Sequence, residues 1–330
     1  MNYPWQQQQW SRIEQLIASD RVPHALLMTG AEGLGKADFA TAIANTMLCE
    51  EVLAGHQACG RCRSCQLLKA GTHPDLYRLK PTPPATSKSA NPVLSIKIDD
   101  VRELCEQLNQ SSQFGRYRVA IIEQANCLTL SAANSLLKTL EEPGQDVLIV
   151  LITARPHRLP VTIRSRCQQI RFTQPEKAQA VEWLQQNNPQ GHSTENLLQA
   201  VRMTNGSPLA ALVYLDELEH YQLLSEAMTA SVMGKNPLDY SSKLAKFAKI
   251  KTLEGMLSWV SDLGKIQVCG PDSEIVNEQY RRQLQALAKK VSSQRLFRFH
   301  EQLNFNLTHS AITLNEQLLW ENLLLSWDNL

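Results

Sequence analysis

The sequence predicts an α/β domain built on a parallel five-stranded sheet, followed by an all-helical remainder. Two observations carry this. Between residues 24 and 172, short apolar runs alternate with helical periodicities, the pattern of a sheet covered on both faces. After Pro175 nearly every segment repeats at helical spacing. The length, 330 residues, suffices for two or three domains with full cores.

The elements follow in order. HALLMTG (24–30) reads as a buried strand that enters a Gly-rich loop, and residues 36–48 as a helix with Phe39, Ile43 and Met47 on one face. DLYRLK (75–80) is a second strand, and the Pro- and Ser-rich stretch 81–92 an exposed loop. Asp99 or Asp100 caps a helix to about residue 110. YRVAIIEQA (117–125) is a third strand. SAANSLLKTLEEP (131–143) is a helix capped by Ser131 and ended by Pro143. DVLIVLIT (146–153) is apolar enough for burial on both faces, and CQQIRF (167–172) completes the strands. Helices are then expected over 176–187, 194–204, 208–233, 237–248 and 251–265, with two long patterns between 274 and 330. GSP at 206–208 marks a boundary within the helical part.

Composition excludes several classes. Net charge is +1, so no whole-chain field draws the protein to DNA or a membrane. MNYPWQQQQW lacks the basic and apolar regions of a secretory signal, and no run approaches the roughly 18 apolar residues of a spanning helix. The expected compartment is the cytoplasm, with all eight cysteines reduced.

Residues 30–36, GAEGLGK, fit the phosphate-binding pattern G-x-x-x-x-G-K. Gly30, Gly33 and Gly35 let backbone N–H groups converge on an anion at a helix N-terminus, and Lys36 would reach the outer phosphates. The following residue should be Ser or Thr, to give Mg²⁺ a hydroxyl; it is Ala37. The alternative is a plain Gly-rich turn with a surface lysine. In such folds a metal-binding acid ends a neighbouring strand, and the next residue orients the attacking water. Here the tip reads Glu123-Gln124, and a neutral Gln124 cannot act as a general base. With both the hydroxyl and the base missing, hydrolysis by this chain alone is not expected.

Cys49, Cys59, Cys62 and Cys65 stand at C-x9-C-x2-C-x2-C. Four thiolates close a tetrahedral shell around one structural Zn²⁺, and Gly60 permits the tight turn between them. The alternatives are His56 or His73 as ligands, or four reduced thiols without a metal. Cys105, Cys127, Cys167 and Cys269 read as ordinary buried thiols.

Together HALLMTGAEGLGK, the four-cysteine insertion, HPDLYRL (73–79), SLLKTLEEP (135–143) and RSRCQQIRF (164–172) resemble the clamp-loader subunits of the AAA+ ATPases, most of all the delta-prime family of bacterial DNA polymerase III. The resemblance carries specific motifs as far as residue 210 or so. It implies an AAA+ P-loop domain with a zinc module (1–172), a small helical lid (173–206) and a helical collar (207–330) that joins subunits in a ring. It implies that Arg166 reaches the ATP site of a neighbouring subunit, with Arg164 a second choice, and that Thr153 matches the γ-phosphate sensor. Active members carry an Arg early in the lid helix that follows a Gly; here Pro208 and Leu209 stand there. The implied role is a non-hydrolysing subunit within the DNA polymerase III holoenzyme, binding ATP weakly or not at all. Its implied partners are ATPase subunits of the gamma/tau type, the delta type, and, through the complex, the sliding clamp and primed DNA. Two rivals remain: a self-sufficient Mg-ATPase, and a nucleic-acid-binding zinc module using Arg61, Arg63 and Lys69. The tail LLWENLLLSW (318–327) is too apolar for a free helix and should be buried in a core or between subunits.

Overall fold

The structure is a computed structural model and describes residues 3–53, 55–83, 94–188, 190–230, 233–309 and 315–330. Most of the predicted Pro/Ser loop, residues 84–92, lies outside the described residues. Two compact units divide at Pro175 and Glu176.

Among its described residues the first unit holds five strands: β1 (Ala25–Thr29), β2 (Leu76–Leu79), β3 (Arg118–Ile122), β4 (Val147–Thr153) and β5 (Gln168–Arg171). They pair in the order β2-β3-β4-β1-β5, all parallel. Alternate residues of each strand point to opposite faces, and the apolar runs sort accordingly. Leu26, Met28, Ile121, Leu148 and Val150 face α1 (Gln7–Ala18) and α2 (Lys36–Leu48). Leu27, Ala120, Ile122, Ile149 and Leu151 face the layer with α4 (Ile98–Leu108), α5 (Leu130–Glu141) and the single turn α6 (Val161–Arg164). Phe39, Ile43 and Met47 are buried, as their spacing predicts. The short α3 (Arg63–Ala70) belongs to the cysteine module.

Two caps differ from expectation. Lys97, not Asp99 or Asp100, occupies the N-cap of α4; the Asp100 carboxylate accepts the Lys97 N–H at 3.0 Å, acting from inside the first turn. The N-cap of α5 is Thr129, whose Oγ1 accepts the Ala132 N–H at 3.2 Å; Ser131 lies within the helix. Of the four remaining cysteines, Cys167 is buried, Cys105 and Cys127 are partly buried, and Cys269 is exposed, against the buried reading.

The second unit is helical. A small core forms where α7 (Lys177–Gln186), α8 (Thr194–Met203) and α9 (Pro208–Asp216) meet, through Ala180, Leu184, Leu197, Ala211 and Leu215. A larger core joins α10 (Leu218–Thr229), α11 (Ser241–Leu244), α12 (Lys249–Cys269), α13 (Arg281–Ala288), α14 (Ser293–Thr308) and α15 (Glu316–Asp328) around Trp259 and Trp320. The expected helix 208–233 is two helices because its apolar positions serve two cores: Tyr214 and Leu215 the small one, Leu224 and Met228 the large one. The expected helix 237–248 is a 3-10 turn, Pro237–Tyr240, followed by the short α11, while α12 exceeds its expected 251–265 at both ends. Among the described residues three α-helices, not two, lie in the C-terminal stretch; Ser292 caps α14 by accepting the Arg295 N–H. Leu319, Trp320, Leu323, Leu324 and Trp327 are buried in the large core. No helix among the described residues is long and apolar enough to cross a membrane.

Candidate functional site

All strands run parallel, so the residues following β1, β3 and β4 meet at one edge of the sheet, where ligands of such folds bind. This brings the Gly30–Lys36 loop, Glu123, Gln124 and Thr153 to the same edge. One expectation needs correcting: β3 is not next to the loop-bearing strand, since β4 lies between β1 and β3.

The loop requires its glycines. Gly30 has φ 146°, and a Cβ there would sit 2.4 Å from the Phe172 carbonyl oxygen. Gly35 has φ 77°, and a Cβ would sit 2.3 Å from Cε2 of Tyr3. The N-terminal segment braces the back of the loop: Gln6 Nε2 donates to Leu34 O at 2.8 Å and Gly35 O at 3.0 Å, and Trp5 Nε1 donates to Leu34 O at 3.1 Å. Lys36 is buried and turns inward, donating to Gly30 O at 2.8 Å and also to Ala31 O. Burial pulls its ammonium down to about 8, partly opposed by Glu32. To meet a phosphate, the lysine must leave these carbonyls. Ala37 offers no oxygen. In the first turn of α2 stands Asp38, exposed and accepting the Tyr3 hydroxyl at 2.7 Å. An acid there and Glu32 in the loop both work against an anion at this helix N-terminus.

The other edge residues are engaged within the chain. The Glu123 carboxylate pairs with Lys80 at 3.2 Å and Arg78 at 3.6 Å, both from the β2 side. Gln124 is exposed, with φ 47°. Thr153 is buried; its hydroxyl donates to Asn126 Oδ1 at 2.8 Å and accepts the Arg155 N–H at 3.0 Å. In the helical unit α9 opens with Pro208 and Leu209, so no cation stands in its first turn.

Arg166 follows α6 at the surface, its side chain 35% exposed. One terminal nitrogen contacts Glu141 Oε1 at 2.6 Å, and the other donates to Thr162 O at 2.9 Å. Arg164 turns its Nε into a buried position with no partner among the described residues.

The four cysteines converge. Their sulfurs lie within 4.8 Å of one another, with Cys49–Cys62 at 4.0 Å and Cys59–Cys65 at 3.9 Å. A tetrahedral zinc with Zn–S of about 2.3 Å places its sulfurs about 3.8 Å apart, so the set fits one such ion. Cys49 follows the end of α2, Cys62 caps α3 and Cys65 lies in its first turn. Gly60, at φ 71°, makes the tight turn with open space around it, as the sequence anticipates. Backbone N–H groups, those of Arg61 and Cys62 first, pull the Cys59 thiol down to about 6, whereas burial pushes Cys49 and Cys65 up. His56 and His73 are outside the sulfur cluster. His73 instead supports it: Nδ1 accepts the Asp75 N–H at 3.1 Å, and Nε2 lies 2.9 Å from Ser64 Oγ, which donates to Leu48 O at 2.6 Å. Asn126, Glu141, Thr162 and Ser64 are partners that sequence reasoning missed. Their types are common, and no spacing rule singles them out.

The comparisons agree with this geometry. The family described as "DNA polymerase III, delta subunit" matches residues 5–176, and "DNA polymerase III, delta subunit, C terminal" matches residues 215–329. DNA polymerase III subunit delta' of Escherichia coli (strain K12) is 34% identical over 339 residues, spanning 98% of this chain and 94% of that protein. The Pseudomonas aeruginosa subunit delta' is 33% identical over 338 residues, spanning 99% and 98%. DNA polymerase III subunit tau of E. coli is 34% identical over 153 residues, or 46% of this chain and 22% of that one. With a parallel sheet in the order β2-β3-β4-β1-β5, a cysteine set able to hold one metal ion and full-length likeness of this kind, the chain belongs to the delta-prime family of DNA polymerase III subunits.

Proposed function

We propose that this chain is a clamp-loader subunit that does not hydrolyse ATP itself and supplies Arg166 to the ATP site of a neighbouring subunit. One contrast carries the reading. At its own sheet edge the position after Lys36 has no oxygen and Glu123 is tied to Lys80 and Arg78, while Arg166 stands partly exposed with donors to spare. A guanidinium of this kind stabilises charge on the transferring phosphoryl group and is worth about 10³–10⁵ in rate. The neighbour would be an ATPase subunit of the gamma/tau type. A delta-type subunit, the sliding clamp and primed DNA would join through the assembled complex, in the cytoplasm. Residues 1–172 serve as the AAA+ domain; the lid runs past its expected end at 206, because α9 shares one small core with α7 and α8, and the collar takes the helices from α10 onward. The four cysteines hold a structural zinc, which closes the loop between α2 and α3 and takes no part in chemistry.

The retained glycines and Lys36 favour a second reading, a self-sufficient Mg-ATPase with residual nucleotide affinity. Steady-state hydrolysis separates the two. The isolated chain should show no turnover, and adding it to the ATPase subunits should raise theirs, whereas the Arg166→Ala chain should not. Brisk turnover by the chain alone, abolished in Lys36→Ala, would establish the second reading.

A further inference from the structure

We propose that Glu141 is the positioning residue for Arg166; this rests on the reading of Arg166 given above. The two side chains meet across 25 positions of sequence, joining the last residue of α5 to the segment after α6. Glu141 contacts one terminal nitrogen of the guanidinium, and the Thr162 carbonyl accepts from the other. Arginine has five N–H donors in a rigid fork. Two anchors on different nitrogens fix the plane of the fork and leave donors free for a phosphate.

The placement of Glu141 argues for this use. A carboxylate in the last turn of a helix faces the negative end of the helix dipole, where cations are favoured. Lys138 in the same turn follows the rule, and Glu141 breaks it. Among the described residues, the ion pair recorded for Glu141 is the one with Arg166. Both side chains are partly exposed, 35% for Arg166 and 50% for Glu141, and a pair so exposed contributes little to folding. A local rule broken with little gain in stability is characteristic of a functional position. Without the anchor, a long and flexible side chain samples many rotamers, and the neighbour's site must order it in each turnover.

The test uses the reconstituted complex with its ATPase subunits. Glu141→Ala should lower kcat for ATP by about tenfold to a hundredfold, less than the loss in Arg166→Ala, while KM for ATP stays within about twofold. Glu141→Gln, which keeps the acceptor oxygen, should restore most of the rate. In an Arg166→Ala background, Glu141→Ala should have no further effect. If Glu141→Ala turns over like wild type, or faster, while Arg166→Ala is impaired, the positioning role is overturned and the trans arginine stands. If Arg166→Ala is itself without effect, the underlying reading fails, and this inference with it.

Discussion

Removing the metal from the four-cysteine module should melt that module while leaving the sheet intact. The magnitude follows from what else holds the segment. In α3 only Ser64 and Cys65 are buried, and Val52 and Leu53 in the preceding loop are exposed, so the module has almost no apolar core. An eight-residue helix is not stable alone in water. What remains without metal is a handful of polar contacts, among them Ser64 Oγ to Leu48 O, Ser64 N–H to Glu50, Thr46 Oγ1 to His56 O and the His73 contact, each worth about 1 kcal/mol net, and the partial burial of Leu68 against the sheet. A structural zinc contributes on the order of 10 kcal/mol to the domain it organises. The strands, by contrast, are buried between two layers that include none of the loop from 50 to 64. Limited trypsin digestion reads the difference, because Arg61 and Arg63 lie inside the module and are exposed. Elemental analysis should find one zinc per chain, and chelation or Cys59→Ser should speed cleavage after Arg61 and Arg63 by at least about a hundredfold, the effect of roughly 3 kcal/mol in local opening. Far-UV circular dichroism should change little. Protection from trypsin that persists in metal-free, reduced protein would show that the module stands without its metal.

Two further outcomes concern the helical unit. His220 is buried, its Nε2 lies 2.8 Å from Thr252 Oγ1 and its ring stacks on Phe247; burial holds its pKa below the ordinary 6.5. The unfolded chain therefore binds this proton more readily, so the contribution is complete above pH 6.5 and is lost as pH falls from there toward the folded value. Denaturant melts should show a steeper acid loss in wild type than in His220→Asn below pH 6.5; parallel profiles would contradict this. The indole of Trp327 donates to Met228 O at 2.8 Å, whereas the buried Trp320 indole has no partner among the described residues. Trp327→Phe should thus cost about 1–2 kcal/mol more than Trp320→Phe, because it removes a buried hydrogen bond that Trp320→Phe leaves in place. Equal losses in urea unfolding would rule this out.

Much of the fold was legible because it rests on local signals. The three central strands, β1, β3 and β4, appear as apolar runs at their places, since strands buried on both faces need little but length and hydrophobicity, while the outer β2 and β5 mix polar and apolar residues and are partly exposed. Cysteine spacing identified the metal cluster for a similar reason: a C-x2-C turn delivers two ligands whatever surrounds it. The failures were of two kinds. Where tertiary packing divides a continuous helical pattern, as at Glu217 between two cores, propensity carries no mark of the division. Caps shifted by two or three positions because Thr129 and Lys97 compete with equally plausible neighbours. At the site, sequence gave residue types and not their partners. That Thr153 is occupied by Asn126, Glu123 by β2 cations and Arg166 by Glu141 depends on chain segments that meet only in the folded sheet.

In the proposed role this chain's phosphate loop is idle and its arginine works at a neighbouring site. This role is tested most directly by comparing ATP turnover of two assembled complexes, one carrying Lys36→Ala in this chain and one carrying Arg166→Ala. Turnover should be unchanged with Lys36→Ala, and at the neighbouring site Arg166→Ala should lower it by about 10³ or more. Loss with Lys36→Ala and indifference to Arg166→Ala would contradict that role.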